Sequence, residues 1–312
     1  MTNNPLVSVI VPTYNQAWVL THALRSIKEQ NYSPLEVLVC DDGSTDNTAD
    51  VVKNLGLDFV RYMRIPHNGK HSATLNAGIR EARGEIIMFL DGDDQWLPGK
   101  ISKQVAYLRA HPECDMMFSD GWRIETESDQ YLTPNPDKDV RYCPGWNADK
   151  VVEAGDLFPE NQIPVPTIAF RRGFLKVVGM PDESLVMWDW EWPLRAIAKG
   201  GNVRYQNEQF FIYRKWPKSI TSSRGYIYSA VPEKIRISQI MRGRLDPSVL
   251  DRQLQRWKYD YVKEAIKFEK IPSLKDLTSS DYFPDGFFYR LKALYYLALT
   301  KFRRKFLSWN PQ

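Results

Sequence analysis

Residues 85–94 read EIIMFLDGDD, and their reading decides the fold. Residues 86–90 are consecutive apolar side chains bounded by charge, the pattern of a strand buried on both faces of a parallel sheet. The run stops at Asp91, Asp93 and Asp94. These acids therefore stand at the strand's C-terminal end, where open α/β sheets hold their ligands. Gly92 adds no side-chain bulk between the first two, so a ligand can approach the backbone. Clustered carboxylates repel one another unless a cation or hydrogen bonds compensate. Their hard oxygens suit Mg2+ or Mn2+ together with a phosphate, although these residues alone also fit a solvated acidic turn.

Working outward, VSVIVPTYN (7–15) predicts a central first strand, followed by a helix over 17–30. A second strand covers 35–40 and leads into Asp41, Asp42 and a Gly-Ser-Thr-Asp turn, with Asp46 placed to cap a helix running to about 55. A strand at 58–63 and a helix at 72–83 precede the opening stretch, and a helix at 98–110 and a strand at 116–119 follow it. Strand and helix alternating at short spacing imply an α/β, doubly wound, mostly parallel sheet with helices on both faces. Residues 121–165, rich in Pro, Asp and Asn, read as a long loop over the strand ends, with the character of a lid. Further strands are expected at 165–170, 202–205 and 208–214, and a helix at 188–199 stopped by Gly200 and Gly201. Beyond about residue 232 the pattern is helical.

Composition narrows the class. The 312 residues are 43% hydrophobic and 26% charged, as in a globular rather than a disordered protein. Cys40, Cys114 and Cys143 form neither an even disulfide framework nor a metal-ligand spacing, which fits a reducing cytoplasm. No signal peptide is read at the N-terminus, and no run approaches the roughly 18 apolar residues of a spanning helix. Residues 232–312 hold 17 Lys and Arg against 9 Asp and Glu, a net +8 beside −4 for the rest. An acidic body and a basic tail suggest different tasks.

Three clusters then fall at strand ends on one edge: Thr13-Tyr14-Asn15, Asp41-Asp42 and Asp91-Gly92-Asp93. Parallel strands share direction, so these clusters converge. Tyr14 can stack on a base, Asp41 or Asp42 can accept a base N–H, and Asp93 can hold a cation bridging two phosphates. Singly, Tyr14 and Asn15 are ordinary turn residues. The run after Asp42 has an EF-hand flavour but lacks the Glu at the twelfth position.

Four segments together resemble glycosyltransferase family 2, a large group with the GT-A fold: VSVIVPTYN (7–15), VCDDGSTDNT (39–48), NGKHSATLNAGIREARGEIIMFLDGDD (68–94) and WDWEWPLRAIAKGG (188–201). The resemblance implies an inverting enzyme that moves a hexosyl or N-acetylhexosaminyl group from a nucleotide-diphosphate sugar, with UDP favoured. The acceptor would be a saccharide or lipid-linked saccharide hydroxyl in surface polysaccharide or glycolipid assembly, and the cofactor Mg2+ or Mn2+. By position, Pro12, Thr13, Tyr14 and Asn15 match the loop along the nucleoside. Asp42 matches the base-reading carboxylate with Asp41 close by, and Asp91, Gly92 and Asp93 match the D-x-D element, whose second acid touches the metal. Lys70 matches a donor-contacting basic position, although an exposed helix-start lysine reads the same way. Asn76 and Gly78 read as packing residues, and His71 has no acid partner evident in the sequence.

On the acceptor side Trp188 replaces the family's usual Glu, while Asp189 keeps the position of the general base. Glu191 is the second choice, but two residues along a helix turn it about 200° away. Asp189 also suits a helix cap, and Arg195 suits an internal ion pair. Trp216 stands where related sequences often carry a metal-binding His, and an indole N–H can only donate. Arg214, Lys215 and Lys218 are then candidates to neutralise the diphosphate. A sugar nucleotidyltransferase would show a Gly-rich basic loop after the first strand, where Pro-Thr-Tyr-Asn stands instead. A non-catalytic scaffold is favoured by Trp188 and Trp216 and opposed by Asp91, Asp93 and Asp189.

The expected organisation is a GT-A catalytic domain over 1–231, with a nucleotide-sugar half to about 120 and an acceptor half over 121–231. A helical region over 232–312 follows. Residues 287–309 lack acids, hold six basic residues, and put Phe287, Leu291, Leu294, Tyr295, Phe302 and Trp309 on one helical face. That face suits either an anionic membrane surface, at the inner face of the cell membrane, or a protein surface.

Overall fold

The computed structural model describes residues 4–216, 226–267, 284–285 and 289–295. Strand β1 (Val7–Thr13) is buried along its whole length, as a central strand covered on both faces must be. After it come α1 (Ala17–Lys28), β2 (Leu35–Asp41), α2 (Thr48–Asn54), β3 (Val60–Arg64), α3 (His71–Glu81), β4 (Ile86–Phe89), β5 (Gln95–Trp96) and α4 (Lys100–Ala110). The later elements are β6 (Met116–Glu125), β7 (Val140–Arg141), β8 (Lys150–Val151), β9 (Ala169–Arg171), α5 (Leu175–Val178), α6 (Trp188–Ala198) and β10 (Val203–Lys215).

The sheet order is β3-β2-β1-β4-β9-β6-β10-β5, with β7 beside β6 and β8 beside β10. β3, β2, β1 and β4 are mutually parallel, as are β6 and β10. β9 runs antiparallel between β4 and β6. Successive side chains of β1 point to opposite faces. Val7, Val9 and Val11 join Leu20, Ala23, Leu24 and Ile27 of α1 and Ile101, Val105 and Leu108 of α4 in one core. Ile10 points the other way, onto α3, where a Cβ on Gly78 would come within 2.5 Å of it and 2.8 Å of Cys40. Gly78 is thus a packing residue, and so is the buried Asn76, which donates to Pro181 O and Glu183 Oε1.

An aromatic cluster fixes α6 against the sheet. Phe89 and Phe170 are 5.6 Å apart, Phe170 meets Trp192 at 5.0 Å, and Phe89 meets Trp188 at 6.2 Å. Trp190 and Trp192 are fully buried, and each indole N–H finds a carbonyl, Leu157 O and Gly179 O respectively. These contacts hold the first turn of α6, and with it Asp189, near the end of β4.

Several expectations need correction. Residues 121–125 are not loop: β6 continues through them because β10 offers a parallel partner along its length. The expected strands at 202–205 and 208–214 are one strand, β10, with irregularities around Gln206 and Gln209. Residues 165–167 form a 3-10 turn, and only Ala169–Arg171 pair as a strand. The stretch after β6 is not a free lid. Gln95 bonds both the N–H and the carbonyl of Leu132, and the buried Arg214 donates to Ser128 O and Gln130 O.

The chain divides into two compact units, Met1–Pro217 and Lys218–Gln312. The second contains α7 (Tyr226–Ile240) and α8 (Pro247–Lys267), with residues 289–295 also helical. Val231, Ile237, Met241, Leu250, Trp257 and Val262 are buried there. Of the apolar face expected over 287–309, Leu291, Leu294 and Tyr295 are described and exposed, and the remainder lies outside the described residues, as does Lys218. Among the described residues no helix is long and apolar enough to cross a membrane.

Candidate functional site

β1 lies between β2 and β4, so the turns that follow those two strands flank its end. Asp42 N–H donates to Thr13 O at 3.0 Å, and Gly92 N–H donates to Pro12 O at 3.1 Å. The three polar clusters therefore share one edge, with β2 and β4 about 10 Å apart across β1.

The first two clusters are stitched together. Asn15 adopts φ 52°, and its Oδ1 accepts the Thr45 N–H at 2.8 Å while its own N–H donates to Ser44 Oγ at 2.8 Å. Asp46 accepts from Ala17 N–H and from Thr48 N–H and Oγ1, so one carboxylate ties the starts of α1 and α2. Asp41 is fully buried, and both its oxygens are engaged, by Ser44 and by the Tyr62 hydroxyl. It shapes the turn and offers no free oxygen for a base. Asp42 accepts the N–H groups of Asn68 and Gly69 at 2.9 Å each and lies 2.9 Å from His67 Nδ1. His67 in turn stacks on the exposed Tyr14, with ring centroids 4.4 Å apart. Sequence reasoning missed His67. Thr13 donates to Gln16 Oε1, and Lys70 is exposed at the start of α3.

Gly92 has a reason internal to the fold. A Cβ there would lie 2.6 Å from Gln16 Oε1 and 3.1 Å from Thr13 Oγ1. The close approach expected of a ligand is made by the β1 turn.

The acids after β4 lie beside His71. His71 Nε2 lies 2.7 Å from Asp91 Oδ1, and its ring stacks on Trp188 at 5.6 Å. Burial works against charge on His71, but Asp91, with Asp189 and Asp93, outweighs it and holds the imidazole above its ordinary pKa. The absence of an acid partner is thus corrected. The partner follows a different strand, 20 residues on, and no local pattern shows it. Asp93 accepts the Trp216 indole N–H at 3.2 Å, and burial, with the charge of Asp91, pushes its pKa up to about 6. Asp94 is buried and accepts Arg214 N–H, and burial with its acidic neighbours raises its pKa well above the usual range.

Asp189 sits in the first turn of α6 and accepts the Asn161 side-chain N–H at 2.8 Å. Burial raises its pKa to about 6 against the opposing charge of His71. Tyr142 packs on Phe211 and Tyr213, and its phenol pKa is raised by burial and by the Asp189 charge. Glu191 does not compete with Asp189, since both its oxygens bond Arg195, at 2.7 and 3.0 Å. Arg214 is buried and spent on carbonyls, and Lys215 pairs with Glu125, so neither is free for a diphosphate.

Among the described residues no three His, Cys, Asp or Glu side chains form a metal-binding group. The acids fit a hard cation only if other oxygens complete its shell, as Mg2+ and Mn2+ sites commonly allow. Asp93, with Asp91, is the pair that could hold it.

Residues 8–162 match the model of the family described as Glycosyl transferase family 2. The GalNAc(5)-diNAcBac-PP-undecaprenol beta-1,3-glucosyltransferase of Campylobacter jejuni is 41% identical over 106 residues, covering 31% of this chain and 33% of the relative. The UDP-Glc:alpha-D-GlcNAc-diphosphoundecaprenol beta-1,3-glucosyltransferase WfaP of Escherichia coli is 24% identical over 240 residues, 76% of this chain and 86% of the relative. The chain spans about a third of the length of the first curated relatives it matches. The structure of S. aureus TarS 1-349 in complex with UDP-GlcNAc superimposes with a TM-score of 0.60 at 18% identity, over 92% of this chain and 79% of that one. The fold is that of the GT-A group.

Proposed function

Because residues 8–162 belong to glycosyltransferase family 2, we propose that the chain moves a sugar from a UDP-sugar to a hydroxyl of a lipid-linked saccharide, with inversion at the anomeric carbon, in surface polysaccharide or glycolipid assembly. The observation that carries this reading is His71, which touches Asp91 and stacks on Trp188, the neighbour of Asp189. The acids of the donor side and the base of the acceptor side thereby lie around one imidazole.

In this mechanism Tyr14 and His67 offer a stacked platform for the base, and Asp42 orders the 67–69 turn beside it. The acceptor hydroxyl attacks the anomeric carbon from the face opposite the diphosphate. A C–O bond forms as the bond to the diphosphate breaks, and Asp189 takes the hydroxyl proton. Asn161 holds the carboxylate in place. Glu191, tied to Arg195, is not available as a competing base. A divalent cation on Asp93 and Asp91, when bound, would stabilise charge on the leaving diphosphate. His71 and the exposed Lys70 supply positive charge nearby.

Two relatives are glucosyltransferases named for diphosphoundecaprenol-linked saccharides, which supports a lipid-linked acceptor for this chain. A donor panel tests the donor half. The matching UDP-sugar with Mn2+ should raise the melting temperature by mass action, and Asp42→Asn should diminish that rise. Stabilisation by a guanosine or thymidine donor instead would remove the UDP assignment.

A further inference from the structure

The topology that gathers acids at one edge of the sheet gathers cations at the other. A cavity of about 700 Å3 opens at the start of β4 and the end of the antiparallel β9. It is lined by Arg83, Arg109, Arg171, Arg172 and Lys176, with Glu85 as its one acid. Ile86, on its wall, is five residues before Asp91, or about 16 Å along a strand. The volume lies in the range of small-molecule sites.

The cations play two parts. Arg171 donates to Cys114 O, Leu108 O and His111 O, so its guanidinium is fixed against the end of α4. Arg83, Arg172 and Lys176 are exposed and, among the described residues, have no ion pair. Like charges held around one concavity repel, and an anion relieves that cost. Gly173 lines the same space, and a Cβ there would meet nothing within 4 Å. The wall therefore leaves room that the fold does not use.

We propose that this cavity is a second binding site, separate from the strand-end acids, for a phosphate ester of two or more negative charges. Arg83, Arg172 and Lys176 contact the phosphate oxygens, and Arg171 fixes the wall. Planar guanidinium groups suit paired phosphate oxygens. The ligand is either a soluble phosphorylated metabolite or the headgroup of an anionic phospholipid. The inference does not depend on the transferase reading.

The test titrates the full chain with inorganic pyrophosphate in excess chelator, so that no divalent cation can bridge the anion to the acids at the other edge. Saturable, salt-sensitive binding is expected. It should weaken at least tenfold in Arg172→Gln/Lys176→Gln and in Gly173→Phe, with melting temperatures unchanged. A second arm uses phosphatidic acid vesicles, whose headgroup is a phosphomonoester that can carry two charges. Binding that pyrophosphate competes away identifies a headgroup, and pyrophosphate binding without vesicle binding identifies a soluble ester. No pyrophosphate binding by the parent chain, or equal binding by all three proteins, overturns the proposal.

Discussion

His71 Nε2 lies 2.7 Å from Asp91 Oδ1 while the same ring stacks on Trp188, one residue before Asp189. A single imidazole thus lowers the cost of holding carboxylates from two distant segments close together. Its charge depresses the pKa of Asp189 against the rise that burial imposes. His71→Ala should therefore move the acid limb of the pH–rate profile upward. An unmoved limb, measured as kcat/KM against pH, would separate His71 from Asp189.

For the parent chain the sign is set by the base itself. Asp189 takes a proton in the reaction only when ionised, and its pKa is about 6. Activity should rise through that value and level off above it. Asp189→Asn should lose about 100-fold or more in kcat. A flat profile from pH 5 to 8 would point to another base.

Glu191 makes the opposite prediction. Its bidentate pair with Arg195 is largely buried, and breaking such a pair costs about 3 kcal/mol. Glu191→Gln should lower the melting temperature while the pH–rate profile keeps its shape. A selective loss of kcat with unchanged melting would reinstate Glu191 as a base.

Asp93 links stability to pH. Its folded pKa of about 6 lies above the ordinary 3.8. The folded state thus binds the proton more tightly, and stability falls as pH rises from about 4 through 6. Above that range the ionised, partly exposed carboxylate costs on the order of 1–2 kcal/mol after discounting for solvent. Asp93→Asn keeps an acceptor for the Trp216 N–H and should raise the melting temperature at pH 7 while activity falls. A lower melting temperature would contradict the sign.

Lys100 is fully buried, donates to Gln104 Oε1 at 2.6 Å, and lies over the Trp96 ring. Burial lowers its pKa well below the ordinary value. The unfolded chain carries the charge at neutral pH and the folded chain resists it, so this group's contribution to stability grows as pH rises toward 10. Lys100→Met should stabilise at pH 7, with the gain shrinking in alkali. Equal gains at pH 7 and pH 10, read by chemical denaturation, would count against it.

What the sequence carried was periodicity and strand ends. The apolar runs of β1, β2 and β4 are read from burial on both faces, and their direction alone sets the three clusters on one edge. What it could not carry were partnerships across the sheet. Asp41 and Asp42 look equivalent side by side, yet Tyr62 and Ser44 consume one while the 67–69 turn wraps the other. His71 with Asp91, Asn161 with Asp189 and Trp216 with Asp93 join residues 20, 28 and 123 positions apart. The loop reading of 121–165 began five residues too early because β6 was judged by its own composition, without the parallel partner that β10 supplies.

The most direct measurement is UDP release from UDP-sugars in the presence of a diphosphoundecaprenol-linked saccharide, with Mn2+ or with chelator. The account predicts acceptor-dependent release by the parent chain, suppressed by chelator, and lost in Asp189→Asn while that variant still binds UDP. Release by Asp189→Asn at the parent rate would contradict it.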